Sequence, residues 1–204
     1  MTDALQEWAR RGLDEALATG PLEAAAVAAG FAYVLLAIRQ KRACWLFGGL
    51  STALYLFVFL GARLYLQAVL QVLYVVLAVH GWREWAATED DPGGLAVRRP
   101  GLRLHLTMLA CAGGMTLLTA PALAAWSDSV APWADALGTW SSVAATWLMI
   151  RKVATNWLWW IVVDTGLAAL FASQGLLFTA VLYAAFALLA VAGWATWRRA
   201  REFA

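Results

Sequence analysis

The chain carries its own near-copy. Ile38-Arg39 recurs as Ile150-Arg151, Trp45-Leu46 as Trp157-Leu158, and Ala68-Val69-Leu70 as Ala180-Val181-Leu182. Leu77-Ala78-Val79 recurs as Leu189-Ala190-Val191, and Gly81-Trp82 with Trp85 as Gly193-Trp194 with Trp197. Every pair is 112 positions apart, with no insertion. Chance supplies matches among Leu, Ala and Val in an apolar chain. It does not readily hold three tryptophans and a glycine in one register. A duplicated unit of this length is expected to fold as two like bodies about a common axis, which restricts the architecture more than any single motif does.

The unit itself is apolar. Hydrophobic residues make up 63% of the 204 and charged residues 14%, against roughly a quarter charged in a soluble domain. So little polar surface cannot coat a globule, and the chain reads as an all-α membrane protein. A hydrocarbon layer of about 30 Å takes about 20 helical residues. Seven stretches qualify: Leu22–Arg39, Ala43–Leu60, Leu64–Trp82, Leu102–Leu123, Pro132–Ile150, Asn156–Ser173 and Gly175–Trp197. The very short links after the second and sixth predict tight hairpins. The long interruption at 86–101, with acids at 89–91, then Pro92-Gly93-Gly94 and Arg98-Arg99, reads as a solvated loop.

The organisation follows. A leader at 1–20 precedes a first three-helix repeat at 22–85. A connecting segment at 86–131 holds the loop, a linker helix and an outer loop. A second three-helix repeat runs over 132–197, and a tail over 198–204. The leader has no apolar core, so it is not a signal peptide. Leu5, Trp8, Leu13 and Leu17 predict a short amphipathic helix on the membrane face. Three helices are an odd number, so a direct copy would stand inverted. The fourth helix restores parity and lets both triplets stand parallel, a 3+1+3 arrangement seen in transporters with the site between the repeats. Arg39, Lys41 and Arg42, then Arg83, Arg98, Arg99 and Arg103, then Arg151 and Lys152, then Arg198, Arg199 and Arg201 fall on one side. By the positive-inside rule that side is cytoplasmic, with the C-terminus inside and the N-terminus outside. Trp82, Trp85, Trp194 and Trp197 stand beside these arginines and read as interfacial anchors.

Several classes drop out. A net charge of +2 gives no basic field for nucleic acid. Cys44 and Cys111 show no metal or disulfide spacing, and no cofactor is expected. The last span has no lysine to hold retinal. No HExxH, GxSxG, P-loop or catalytic carboxylate pair occurs, which leaves a membrane enzyme or ligand sensor as the remote alternative.

The sixth span places polar groups where lipid disfavours them. Asn156, Trp160 and Asp164 recur at four-residue intervals and share a face. Asp164 lies roughly 12 Å along the axis, near mid-bilayer, where a carboxylate costs at least about 2.5 kcal/mol. It faces either a wet cavity or a hydrogen-bond partner on another helix. Gln67, Gln71 and Tyr74 share a face of the third span, as interhelical glue or as site. One repeat supplies Asn156, Trp160 and Asp164 where the other has Cys44, Gly48 and Thr52. A polar and aromatic wall would then oppose small side chains. Indole faces take planar, electron-poor or cationic rings, a carboxylate takes a hydroxyl or positive charge, and amides take hydroxyls. The expected solute is compact, flat-ringed and hydroxyl-bearing.

RACWLFGGLSTALYLFVFLGARLYLQAVLQVLYVVLAVHGWREW resembles the first triplet of the PnuC vitamin transporters, and NWLWWIVVDTGLAALFASQGLLFTAVLYAAFALLAVAGW resembles their last. The resemblance runs from about Leu22 to Trp197. It implies a fold like the SWEET sugar carriers and uptake of nicotinamide riboside, a cationic pyridinium on a ribose, across the bacterial inner membrane. It further implies facilitated diffusion, with a cytoplasmic kinase trapping the solute as its phosphate, and an assembly such as a trimer. Carried over by position, Asn156, Trp157, Trp160 and Asp164 match the family's sixth-helix motif and Gln67, Gln71 and Tyr74 its third-helix one. Trp45 and Tyr183 are weaker matches. Related members are similar to carriers of thiamine, also a flat cation with a hydroxyl, and thiamine stands as the alternative cargo.

Overall fold

The computed structural model describes residues 10, 20–61, 65–87, 97, 101–127 and 131–202, with the backbone alone for 65–67 and 200–202. All of the expected leader but Arg10 and Gly20 lies outside these residues, as does most of the 86–101 loop. Among the described residues, seven long helices are present: α1 (Pro21–Ile38), α2 (Cys44–Gly61), α3 (Tyr65–Ala86), α4 (Leu102–Trp126), α5 (Pro132–Ile150), α6 (Asn156–Ser173) and α7 (Leu177–Glu202). Proline opens α1 and α5, where its missing N–H has no helical acceptor to lose. By length and composition, α1, α2, α4 and the Leu177–Arg199 part of α7 are apolar enough to cross a membrane. Two of the other three, α3 and α6, are those on which the sequence places its polar faces.

The duplication extends to turn geometry. Gln40 and Lys152, 112 apart, both adopt positive φ, 54° and 48°. At the end of α1, Gln40 N donates to Ala37 O at 2.9 Å and Lys41 N to Leu36 O at 3.0 Å. At the end of α5, Lys152 N donates to Met149 O and Val153 N to Leu148 O, both at 2.9 Å. These are the paired bonds of a Schellman stop, built twice at equivalent positions. Gly175, at φ 78°, ends α6 the same way, with Leu176 N donating to Phe171 O at 3.0 Å. The seventh helix therefore starts at Leu177 rather than at the expected Gly175. At its other end no breaker follows Trp197, and Arg and Ala carry the helix through Glu202. The expected tail at 198–204 is thus mostly helix.

Consecutive helices neighbour one another within each half, while α1 touches α7 and α3 touches α5. Six helices therefore close a ring, and the two cross-half contacts are equivalents under the 112-residue offset. The linker helix α4 lies outside the ring against α5, where Trp140 Nε1 donates to Thr119 Oγ1 at 2.9 Å.

At the end of the ring that carries the arginines, a core cluster joins both halves. Trp45, Trp85, Trp157 and Trp197 are all at most 3% exposed. Trp45 meets Trp85 edge-on, with centroids 5.5 Å apart at 89°, and Trp157 meets Trp197 at 5.6 Å and 86°. Trp45 lies against Gly81, and Trp157 against Gly193, where an added Cβ would come within 2.5 Å of the indole. Reading Trp85 and Trp197 as interfacial anchors is thus corrected. Their rings fill the space between the halves, and their N–H groups bond carbonyls there, Trp85 to Ile150 and Trp197 to Ala37 and Ile38.

Candidate functional site

A cavity of about 500 Å³ lies inside the ring. Its lining runs from Tyr55, Phe59, Phe171 and Phe178, at helix ends remote from the tryptophan cluster, down to Trp45 and Trp157, whose rings also belong to that cluster. Each half contributes equivalent positions in unlike chemistry. Gly30 pairs with Ser142, Val34 with Thr146, Gly48 with Trp160, Thr52 with Asp164, Gln71 with Tyr183, and Tyr74 with Phe186, and all of these line it. Gly48 stands in the register of Trp160 and Thr52 in that of Asp164, small side chains against an indole and a carboxylate, so the two walls differ in chemistry.

Of the side chains expected from sequence, Trp45, Gln71, Tyr74, Trp157, Trp160, Asp164 and Tyr183 line this one cavity. Gln67 lies on α3, but its side chain is outside the described residues. Asn156 departs from expectation. It is fully buried and absent from the lining, and its Nδ2 donates to Val153 O at 2.7 Å. It shares the azimuth of Trp160 and Asp164, but its place at the helix start puts it below the cavity, where it braces the α5–α6 turn.

Asp164 is 4% exposed, and among the described residues its carboxylate has no hydrogen-bond or ionic partner. Trp45, Trp157 and Trp160 each keep a buried indole N–H without a protein acceptor. Among the described residues, the charged groups in the lining are Glu23 and Asp164, with no Lys, Arg or His. Sequence reasoning missed Tyr33, Ser142, Thr146 and Glu23. Ser142 and Thr146, an i, i+4 polar pair on an apolar helix, carried a readable signal. Tyr33 did not. Its hydroxyl donates to Met149 Sδ at 2.9 Å, a contact between halves that nothing local announces.

Such a cavity inside an apolar helical ring suits a small organic solute. Residues 20–199 match the nicotinamide mononucleotide transporter family. The chain belongs to this family. It is 27% identical, over 207 residues, to the nicotinamide riboside transporter PnuC of Escherichia coli (strain K12), covering 89% of this chain and 87% of the relative. The PnuC of Shigella flexneri gives the same identity and coverage. Among solved structures, the crystal structure of the vitamin B3 transporter PnuC superposes with a TM-score of 0.71 at 22% identity, over 96% of this chain and 90% of that one. The family resemblance read from the two triplets thus holds, and the chain is a membrane transporter rather than an enzyme.

Proposed function

We propose that the protein carries nicotinamide riboside across the bacterial inner membrane by facilitated diffusion. The observation that carries this reading is the Asp164 carboxylate on an aromatic cavity wall, with neither a partner nor a cationic lining side chain among the described residues. A pyridinium ring satisfies both features, because indole and phenol faces attract a cationic ring and the carboxylate neutralises it. Gln71, Tyr74, Tyr183 and the unpartnered indole N–H groups supply donors and acceptors for a ribose and a carboxamide. The names of the relatives point to the same cargo over thiamine.

The charge of the lining also bears on direction. A phosphate group would enter among carboxylates, with no cation among the described lining residues to receive it. Phosphorylation by a cytoplasmic kinase would therefore stop the product leaving by the route it entered. For the architecture, we read two parallel three-helix units joined by α4, as in the SWEET carriers. Seven spans, an outer N-terminus and a cytoplasmic arginine-rich end complete that reading, and a homotrimer rests on family likeness. The tryptophan cluster at one end and the cavity reaching away from it fit a state closed toward the cytoplasm.

Calorimetric titration of purified protein with nicotinamide riboside, its 5′-phosphate, nicotinamide and thiamine tests the reading. The riboside is expected to bind at least a hundredfold more tightly than its phosphate. Tight thiamine binding with the riboside ignored would reverse the assignment.

A further inference from the structure

We infer that Glu23, at the mouth of the cavity, selects solutes by charge before they reach Asp164. This rests on the riboside reading above and adds a residue that the reading does not use.

Glu23 opens a stripe on α1, Glu23, Val27, Gly30 and Val34, spaced by four, three and four residues, all of which line the cavity. One stripe of one helix therefore runs the depth of the chamber. Ten residues separate Glu23 from Tyr33 near the floor, about 15 Å of helix at 1.5 Å per residue. Glu23 lines the end of the cavity remote from the tryptophan cluster, as do Tyr55 and Phe178. It is half-buried, and no cation pairs with it among the described residues.

The plain explanation is that an acid in the first turn stabilises a helix N-terminus. The repeat allows a comparison within the molecule. The equivalent of Glu23 in the second half is Asp135, also an acid in the first turn of its helix. Helix electrostatics account for an acid at both positions. They do not account for the difference between them, since Glu23 lines the cavity and Asp135 does not. A carboxylate at the rim of a low-dielectric cleft focuses its field down the cleft. With Asp164 deeper in the same chamber, a cation meets two attractive charges in series and an anion two barriers.

Nicotinamide riboside and nicotinic acid riboside share ring and sugar. The first is a monocation. The second is net neutral, because its carboxylate cancels the ring charge. The test is their relative affinity for wild type, Glu23→Gln, Glu23→Lys and Asp135→Asn, each shown to be folded by thermal unfolding. Wild type is expected to prefer the amide. Glu23→Gln should narrow that preference about threefold and Glu23→Lys about tenfold at low salt, and both changes should shrink at high ionic strength. Asp135→Asn should leave the preference as it is. An unchanged preference in both Glu23 variants, or an equal change in Asp135→Asn, overturns the inference while leaving the riboside reading intact. Wild type that binds neither riboside overturns the reading itself, and this inference with it.

Discussion

The rings of Trp85 and Trp197 stand 6.2 Å apart, one from each half of the chain, and each indole N–H bonds the end of the other half's first helix. Trp85 Nε1 reaches Ile150 O at 3.0 Å, and Trp197 Nε1 reaches Ala37 O at 3.1 Å and Ile38 O at 3.2 Å. The bonds are exchanged between the two halves. They cap carbonyls that a helix C-terminus leaves without an intrahelical donor.

Removing the donor while keeping most of the ring isolates that contribution. Trp197→Phe should destabilise the protein by about 1–3 kcal/mol, the cost of leaving the Ile38 carbonyl without a donor, since Ala37 O keeps that of Gln40 N. Trp85→Phe, its equivalent, should behave alike. Thermal unfolding in detergent measures both. A loss in one and none in the other would mean that the two bonds are not equivalent.

The glycines beneath the tryptophans give a sharper contrast. Alanine is the better helix former by about 1 kcal/mol, so Gly→Ala stabilises a helix where space allows. At Gly193 the new methyl would lie about 2.5 Å from the Trp157 ring atoms, and overpacking costs about 1–3 kcal/mol. Gly193→Ala should therefore lower the unfolding temperature. Gly166→Ala, with nothing within 4 Å of its Cβ, should hold it or raise it.

Much of this arrangement could be read before the structure. The extents of α5 and α6 come out as expected, because Pro132 opens one and Asn156 starts the other just after a turn. The azimuths of Gln71, Tyr74, Trp160 and Asp164 also follow from helical spacing alone. Depth does not. A helical wheel puts Asn156 on the face of Asp164 but cannot say that the helix start lies below the cavity. Nor does a tryptophan beside arginines at a helix end distinguish a lipid anchor from a plug between halves. Trp85 and Trp197 satisfy both descriptions locally, and only the approach of the other repeat decides between them.

Asn156 is accordingly expected to act on stability rather than on binding. It is fully buried, with Nδ2 bonded to Val153 O at 2.7 Å. Asn156→Ala removes that bond and leaves Val153 O with the backbone N–H of residue 156 at 3.0 Å, at about 0.5–1.5 kcal/mol. The unfolding temperature should fall, while riboside affinity measured below it changes less than twofold. A tenfold loss of affinity with stability unchanged would place Asn156 against the solute after all.

Asp164 should show the opposite pattern. A carboxylate that is 4% exposed, without a hydrogen-bond or ionic partner among the described residues, is a charge withdrawn from water with nothing to compensate it. Such a group costs free energy in the empty protein. Its retention makes sense if a cationic solute supplies the missing partner. Asp164→Asn keeps the size and a polar end but removes the charge. It should weaken riboside binding at least tenfold, about 1.4 kcal/mol. It should also leave the ligand-free protein as stable as wild type or more so, the trade expected where a site is strained for function. Unfolding scans with and without the riboside read both terms in one experiment. Wild type should gain more from the ligand than the variant does, and the variant should start from the same or a higher baseline. A variant that is less stable when empty and gains as much from the ligand would mean that Asp164 serves the fold and not the solute.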